Sequence, residues 1–325
     1  MINPPEALDL RAMRNLNIIF MGTADFAVPS LNSIHESRHS VIAVVTGPDQ
    51  PKGRGQKLAF TPVKRRALEF NLPILQPITV KDPSFAEQVR NLNPDLIVVV
   101  AFKILPPAVF EIPAYGSVNL HASLLPKYRG AAPLNWALIN GDTETGVTTF
   151  FLQSKVDTGE MLVQRRIPVL PEDDAGTLHD KLALLGAETL LDTIHQIADE
   201  QTKPVKQDES GVSVAPKIFK DTCHIDWTKP AEQIHNLVRG LSPYPAAFTE
   251  MNGITYKIFK TTVSTTQRAG ESGTISVVDP KTGIAVVCGD HREIWIKELQ
   301  PPSKKRMTSQ EFLRGYSIQL GDRFQ

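Results

Sequence analysis

The feature that most constrains the fold is an alternation of short apolar runs with helical segments over the first hundred residues. The runs have the length of buried strands, and a helix-prone segment follows most of them. Neighbouring parallel strands need crossovers of this kind, so the alternation predicts a parallel sheet in an α/β fold. The predicted strands are 16–20, 41–45, 73–75 and 96–101. One predicted helix begins near Ala27, a second covers 63–69, and a third covers 83–91.

The pattern continues beyond residue 101 without the usual nucleotide-binding signatures. Further strands are predicted at 118–120, 147–152 and 161–169, and apolar residues at helical spacing predict a long helix over 177–198. The turn after the first strand reads Gly22-Thr23-Ala24-Asp25-Phe26, not Gly-x-Gly-x-x-Gly, and there is no Walker sequence. The fold is therefore expected to be Rossmann-like, with neither a nicotinamide cofactor nor ATP.

A polar stretch at 199–211 separates this region from one with a different pattern. Beyond it, short β-prone pieces alternate with turn signals such as Asn252-Gly253, which favours a small β-barrel of the oligonucleotide-binding (OB) type. We therefore expect an α/β protein whose Rossmann-like, largely parallel N-terminal domain is followed by a smaller OB-like β-barrel. The predicted organisation is an N-terminal extension at 1–16, a Rossmann-like domain at 17–198, a linker at 199–211 and a barrel domain at 212–325.

Composition narrows the class of protein. At 325 residues, with 41% hydrophobic and 22% charged residues, the chain is an ordinary globular protein of about two domains. It has no apolar stretch of the ~18 residues that a membrane helix needs and no signal sequence, so we expect a cytoplasmic protein without membrane contact. Cys223 and Cys288 lie far apart without neighbouring ligands, so neither a disulfide framework nor a metal site is expected.

Charge is balanced overall but not along the chain. Residues 211–325 hold 15 Lys and Arg against 11 Asp and Glu, a net charge of +4. Because the whole chain has 35 of each, residues 1–210 hold 20 against 24, a net charge of −4. The basic second part is compatible with a polyanionic partner, although a split of this size is also common on solvated surfaces.

The segment 117–130 carries the most chemical information. In a strand, residues two apart face the same side, so Asn119 and His121 project together near the carboxyl end of a predicted parallel strand, where α/β sheets bind ligands. After the next strand, the loop Ser154-Lys155-Val156-Asp157-Thr158-Gly159 offers a carboxylate. An aspartate close to a histidine can orient the imidazole and favour its charged form. Each residue alone is more often structural, but the ordered set predicts a site.

These residues, taken in order, resemble the folate-dependent formyltransferases, and over nearly the whole chain those that act on methionyl-tRNA. The resemblance rests on Asn-x-His-x-Ser-Leu-Leu-Pro at 119–126 and the later Asp157-Thr158-Gly159. Further matches are Phe20-Met21-Gly22-Thr23, Gly53-Arg54-Gly55-Gln56-Lys57-Leu58, Tyr128-Arg129-Gly130-Ala131-Ala132-Pro133, Ala215-Pro216-Lys217-Ile218 and Ile225-Asp226-Trp227.

The resemblance implies transfer of the formyl group of 10-formyltetrahydrofolate to the α-amino group of methionyl initiator tRNA, without a metal and by a monomer. Asn119, His121 and Asp157 would be the catalytic residues. The folate would bind between the turns at 100–106 and 123–126, at Phe102, Ile104, Leu105, Ser123, Leu124, Leu125 and Pro126. The tRNA would contact Lys52, Arg54 and Lys57 of the long loop 46–58, and Lys217 and Lys220 of the barrel domain.

Two alternatives remain open at this level. The same chemistry could serve another amine, such as an amino-sugar nucleotide or a purine precursor, but the second domain and the long basic loop favour tRNA. A non-catalytic tRNA-binding module with a decayed site is the other alternative, and the intact set Asn119, His121 and Asp157 argues against it.

Overall fold

A computed structural model of the chain describes residues 14–52 and 57–325, and the chain divides into two compact units. The first unit comprises Met1–Pro126, Val147–Arg165 and Leu182–Ser210, and the second comprises Lys127–Gly146, Arg166–Lys181 and Gly211–Gln325. The domain limits that the sequence indicates, with a linker at 199–211, stay a prediction.

The strands of the described residues are β1 Asn17–Gly22, β2 Ser40–Val45, β3 Gln50–Lys52, β4 Lys57–Ala59, β5 Ile74–Leu75, β6 Leu96–Val100, β7 Ser117–His121, β8 Arg129–Gly130, β9 Glu144–Phe151, β10 Met161–Pro168, β11 Val214–Ala215, β12 Ala247–Met251, β13 Ile254–Gln267, β14 Ile275–Asp279, β15 Gly283–Val287, β16 Arg292–Gln300 and β17 Met307–Thr308. The helices are α1 Val28–His35, α2 Pro62–Glu69, α3 Pro83–Asn91, α4 Pro107–Phe110, α5 Pro133–Ile139, α6 Ala175–Ala198, α7 Ala231–Leu241 and α8 Ser309–Leu313.

A seven-stranded sheet confirms the predicted Rossmann-like, largely parallel architecture. Its strand order is β10-β9-β7-β6-β1-β2-β5, and all neighbours from β7 to β5 are parallel. Strand β9 runs antiparallel to β7. Every residue of β6 is buried, as expected for a central strand that is covered on both faces. The sheet thus places β7 between a parallel and an antiparallel neighbour.

Local capping explains where the helices begin. Helix α3 covers the predicted range because the Asp82 side chain accepts a hydrogen bond from the Ser84 amide and Pro83 opens the first turn. Helix α6 begins two residues before the predicted start, because Asp174 and Thr177 exchange hydrogen bonds between side chain and backbone at its N-terminus. No helix of the described residues has the length and apolar character needed to cross a membrane.

The predicted thirteen-residue loop 46–58 contains strand β3 and most of strand β4, which the sequence did not reveal. Strands β3 and β4 pair antiparallel within it, and three-residue strands are too short to show an alternating pattern. The base of the loop is anchored by Asp49, whose carboxylate accepts hydrogen bonds from Lys64 at 2.6 Å and Gln76 at 3.0 Å. The hydrogen bonds from Lys64 and then Gln76 hold the pKa of the Asp49 carboxyl below its usual range.

The second unit contains the predicted antiparallel β structure. Its six-stranded sheet has the order β12-β13-β16-β15-β14, with β17 paired to β16. The predicted turn Asn252-Gly253 joins β12 to β13, with both residues in the left-handed region that such a turn requires. The last residues connect the two edge strands, because Gln325 exchanges backbone hydrogen bonds with Glu250 of β12 and Ile275 of β14 donates to the Asp322 carbonyl.

Two helices beyond residue 211, α7 and α8, were not anticipated from the β-prone sequence of this region. Helix α7 buries Ala231, Ile234, Val238 and Leu241 in the core of the unit. Their spacing fits one helical face, so the pattern was present in the sequence. Helix α8 begins at a capping box formed by Thr308 and Glu311.

Phe324 should be essential for the stability of the second unit. Its ring is 1% exposed and stacks on Trp227 with ring centroids 5.8 Å apart, in the segment that connects both edges of the sheet. We expect Phe324→Ala to lower the free energy of unfolding by about 3–5 kcal/mol in urea titrations, because it opens a cavity. Leu320→Ala is the control, since Leu320 is 71% exposed. Equal losses in both variants would contradict this account.

Candidate active site

The candidate site is built on β7. Asn119 pairs in register with Val99 of β6 on one side and with Phe150 of β9 on the other, so pairing on both sides fixes its position. His121 ends the strand, is 6% exposed, and lies edge-on to the Phe150 ring with centroids 6.5 Å apart. Asn119 remains partly exposed. An amide and an imidazole are thus held on one strand with the spacing that places both on the same side.

Asp157 approaches His121 from the loop between β9 and β10. The distance from its Oδ2 to His121 Nδ1 is 4.0 Å, and both side chains are largely buried, at 11% and 7% exposure. Because Val118 pairs with Phe151, β9 ends beside the start of β7, and the loop must fold back to reach His121. The structure therefore brings together the histidine and the aspartate that the sequence singled out.

The backbone of this loop adopts a conformation that few sequences allow. Asp157 has a φ of +55°, in the left-handed region that non-glycine residues rarely occupy. A Cβ atom on Gly159 would lie 1.6 Å from the Phe151 carbonyl oxygen, so only glycine fits there. The Gln207 side-chain nitrogen donates to the carbonyls of Asp157 and Gly159, both at 2.9 Å.

The turn at 123–126 is held by two polar side chains that sequence reasoning missed. Thr148 Oγ1, on β9 opposite His121, donates to the Ser123 carbonyl at 2.7 Å and accepts from the Leu125 amide at 3.1 Å. Gln164 Nε2 donates to the Leu125 carbonyl and to Thr148 Oγ1, both at 3.0 Å. A threonine in an apolar strand was the only signal for this network in the sequence. These backbone groups of the turn are already satisfied within the protein.

The turn after β6 differs in this respect. Among the described residues, the backbone groups of Phe102–Leu105 form no hydrogen bond with one another or with any other residue. Ile104 is 71% exposed, whereas the Leu105 side chain is buried in the hydrophobic core beside Val109. Backbone donors and acceptors beside an exposed apolar side chain suit a flat heteroaromatic ring, which is recognised at its edge and covered on its face.

The predicted folate residues thus have different environments. The side chains of Ser123 and Leu125 are buried, whereas Leu124 and Pro126 are partly exposed, as is Phe102. If the turn at 123–126 contacts a ligand, it does so mainly through Leu124 and Pro126, while Leu105 contributes only its backbone.

The predicted tRNA-binding residues lie in two places. Arg54 is outside the described residues. Lys52 is the last residue of β3, and Lys57 is the first residue of β4. In the second unit, Lys217 Nζ lies 5.7 Å from the centre of the Phe219 ring, and Lys220 Nζ lies 5.9 Å from that of Phe248. The Phe219 side chain is 62% exposed. Cations next to an exposed aromatic ring are suited to nucleic acid, which offers phosphates and base faces.

No group of three or more His, Cys, Asp or Glu side chains that could hold a metal ion occurs within the described ranges. Cys223 and Cys288 are both buried, and burial raises the pKa of the Cys288 thiol to about 12. Cys288 is therefore a protonated core residue at neutral pH.

Comparison with known proteins defines the class. Residues 14–194 match the formyl transferase family, and residues 217–317 match the C-terminal domain of formyl transferases. The chain therefore belongs to the formyl transferase family, as the resemblance in its sequence implied.

Two similar members of the family are methionyl-tRNA formyltransferases. The chain is 50% identical to the methionyl-tRNA formyltransferase of Geobacter metallireducens, over 96% of this chain and 99% of that protein. It is 45% identical to the methionyl-tRNA formyltransferase of Bacteroides thetaiotaomicron, over 94% of this chain and 98% of the other. These matches extend over both units of the chain.

A solved structure confirms the fold independently of sequence. The N-formyltransferase from Helicobacter canadensis, in complex with folinic acid and dTDP-3-aminofucose, superposes with a TM-score of 0.67 at 21% identity. The superposition covers 88% of this chain and 99% of that one. At this identity the likeness establishes the fold.

Gly159 should be irreplaceable in the site loop. Gly159→Ala places a methyl group against the Phe151 carbonyl, so the backbone has to move. We expect urea titrations to show a loss of more than about 2 kcal/mol in the free energy of unfolding. Gly315→Ala is the matched control, because a Cβ on Gly315 meets nothing within 4 Å. A fully stable Gly159→Ala protein would show that the loop backbone is not constrained as described.

Proposed function

We propose that this protein transfers the formyl group of 10-formyltetrahydrofolate to the α-amino group of methionyl initiator tRNA. The observation that carries the proposal is the approach of Asp157 to within 4.0 Å of His121, on the strand that also holds Asn119. The methionyl-tRNA formyltransferases from Geobacter and Bacteroides, at 45–50% identity over nearly the whole chain, support the choice of acceptor.

The reaction needs a hydrogen-bond donor where negative charge develops. Attack of an amine on the formyl carbon produces a tetrahedral oxyanion, and each well-placed donor can contribute about 3 kcal/mol to its stabilisation. The Asn119 amide and an N–H group of the His121 imidazole would supply donors from one side of β7. The pairing of β7 to β6 and β9 holds these groups in place before the substrate binds.

A proton must also leave the attacking nitrogen, and one must reach the nitrogen that loses the formyl group. His121 is the titratable group on this strand, and we assign the transfer to its imidazole. Asp157, whose Oδ2 lies 4.0 Å from Nδ1, would orient the ring, and Nε2 would then serve the reacting groups. The new bond joins the amine to the formyl carbon, and the old bond to the folate nitrogen breaks.

The folate, when bound, supplies an activated formyl group, and the turn Phe102–Leu105 suits its ring. Backbone groups without partners among the described residues can pair with the ring edge, and Ile104 can cover its face. The folinic acid held by the Helicobacter canadensis enzyme supports a folate ligand for this fold.

The proposal extends to the partners and setting of the enzyme. The acceptor tRNA would contact Lys52, Arg54 and Lys57 near its reacting end, and Lys217 and Lys220 through its backbone. We further propose that the protein acts in the cytoplasm, as a monomer and without a metal ion.

Replacing the three proposed catalytic residues tests the assignment. We expect His121→Ala, Asn119→Ala and Asp157→Asn each to reduce the rate of formyl transfer by about 10²- to 10⁴-fold, because each removes a donor, the proton carrier or its orienting group. The measurement is the transfer of labelled formyl from 10-formyltetrahydrofolate to methionyl initiator tRNA, with uncharged tRNA as the blank.

The matched control uses a second His–Asp pair. His179 Nδ1 lies 3.0 Å from Asp180 Oδ1 on α6, away from β7 in the sequence, and His179→Ala should keep the full rate. A folded His121→Ala protein with near-normal turnover would remove His121 from the site. A wild-type protein that binds folate but does not formylate methionyl-tRNA would redirect the proposal to another amine, such as an amino-sugar nucleotide.

Binding to tRNA should depend on Lys217 and Lys220. Replacing both lysines with alanine removes two cations that would each neutralise a phosphate, so the slope of log affinity against log salt should become shallower by about 1.5. Filter binding at several salt concentrations measures this slope. The control replaces Lys229 and Lys281, which are exposed on the same unit. Affinity that does not respond to salt, or an equal change in the control, would contradict the proposed contact.

A further inference from the structure

We propose that Gln207 is a positioning residue for Asp157, and that part of the stretch 199–211 thereby belongs to the active site of the enzyme. The inference rests on the proposed role of Asp157, and it adds a residue that neither the sequence motif nor the strand pattern contains. The observation behind the inference is the pair of hydrogen bonds that Gln207 Nε2 donates to the carbonyls of Asp157 and Gly159.

The chemistry of the contact suits the side-chain amide of Gln207. Both partners are backbone carbonyl oxygens, which can only accept, so the atom that faces them must carry two N–H groups. The side-chain nitrogen of glutamine carries two, and one is directed to each carbonyl at 2.9 Å. A glutamate of the same shape would place an acceptor-only group against two acceptors.

The hydrogen bonds from Gln207 stabilise the backbone conformation that sets the direction of the Asp157 carboxylate. Asp157 adopts a φ of +55°, which needs support from its surroundings because it is unfavourable for a residue with a Cβ. The two carbonyls that Gln207 binds are two residues apart, on either side of Thr158. The bonds therefore fix the turn between them, and with it the direction in which the Asp157 side chain leaves the backbone.

The position of Gln207 is itself fixed by the neighbouring backbone. Met161, at the start of β10, and Val205 exchange backbone hydrogen bonds of 2.8 and 2.9 Å. The chain around residue 205 thus runs beside the C-terminal end of the loop, which places Gln207 next to the loop. All of these residues belong to the first compact unit.

A set of three variants tests the inference. Gln207→Glu keeps the shape but replaces the donors with acceptors, and Gln207→Met keeps the length without any donor. We expect kcat for formyl transfer to fall by at least about tenfold in Gln207→Glu and by less in Gln207→Met, with KM for both substrates changed less than about twofold. Gln201→Glu, the same substitution at an exposed position of the same stretch, should leave kcat unchanged.

A double-mutant cycle separates positioning from general support. If Gln207 acts through Asp157, then adding Gln207→Glu to an Asp157→Asn protein should lower kcat no further. A purely structural residue would instead reduce the melting temperature and the amount of active protein while leaving kcat per active site intact. Folate binding, titrated in every variant, counts the active sites. If Gln207→Glu does not fold, the same cycle is run with Gln207→Met.

The outcomes distinguish this inference from the proposed function. If Asp157→Asn retains near-normal turnover, the role of Asp157 itself fails, and with it the basis of the inference. If Asp157→Asn loses turnover but neither Gln207 variant does, the function stands and the inference is overturned. Full additivity of the two substitutions, or a loss confined to KM, would also overturn it.

Discussion

Hydrogen bonding of β7 to β6 on one side and to β9 on the other is the constraint on which the candidate site depends. The parallel pairing with β6 places the end of β7 at the sheet edge where ligands bind in α/β folds. The antiparallel pairing with β9 places Thr148 opposite His121 and Phe150 opposite Asn119. Because backbone pairing fixes these positions, the side chains would need little reorganisation in the reaction that we propose.

Around β7, side-chain hydrogen bonds replace the backbone pairing that regular secondary structure would supply. The turn at 123–126 and the loop at 152–160 are irregular, and their backbone groups require partners where water is excluded. Thr148, Gln164 and Gln207 supply those partners from neighbouring segments. Each of these three side chains thereby connects one of the two irregular segments to another part of the first unit.

The second unit solves a different problem. Its antiparallel sheet has edge strands β12 and β14, and the final residues of the chain bind to both, with Phe324 buried against Trp227. The unit presents Lys217 and Lys220 beside aromatic rings, in the part of the chain with a net charge of +4. Such a surface suits a polyanion of regular backbone, which agrees with the acceptor that we propose.

The sequence by itself determined the alternation that specifies the parallel sheet and the β-rich second region, and it predicted the candidate set Asn119, His121 and Asp157. Periodicity and short motifs are local, so they can be read along the chain. Only the tertiary structure decided that Asp157 folds back towards His121 and that Leu105 is core while Ile104 is exposed. It also decided that Thr148, Gln164 and Gln207 bind the backbone of the turn and the loop. The apolar spacing of helix α7 follows a helical period, but the segment lies among β-prone neighbours and was not predicted as a helix. The contact of Gln207 could not be predicted, because a hydrogen bond between residues 50 positions apart leaves no pattern in a single sequence.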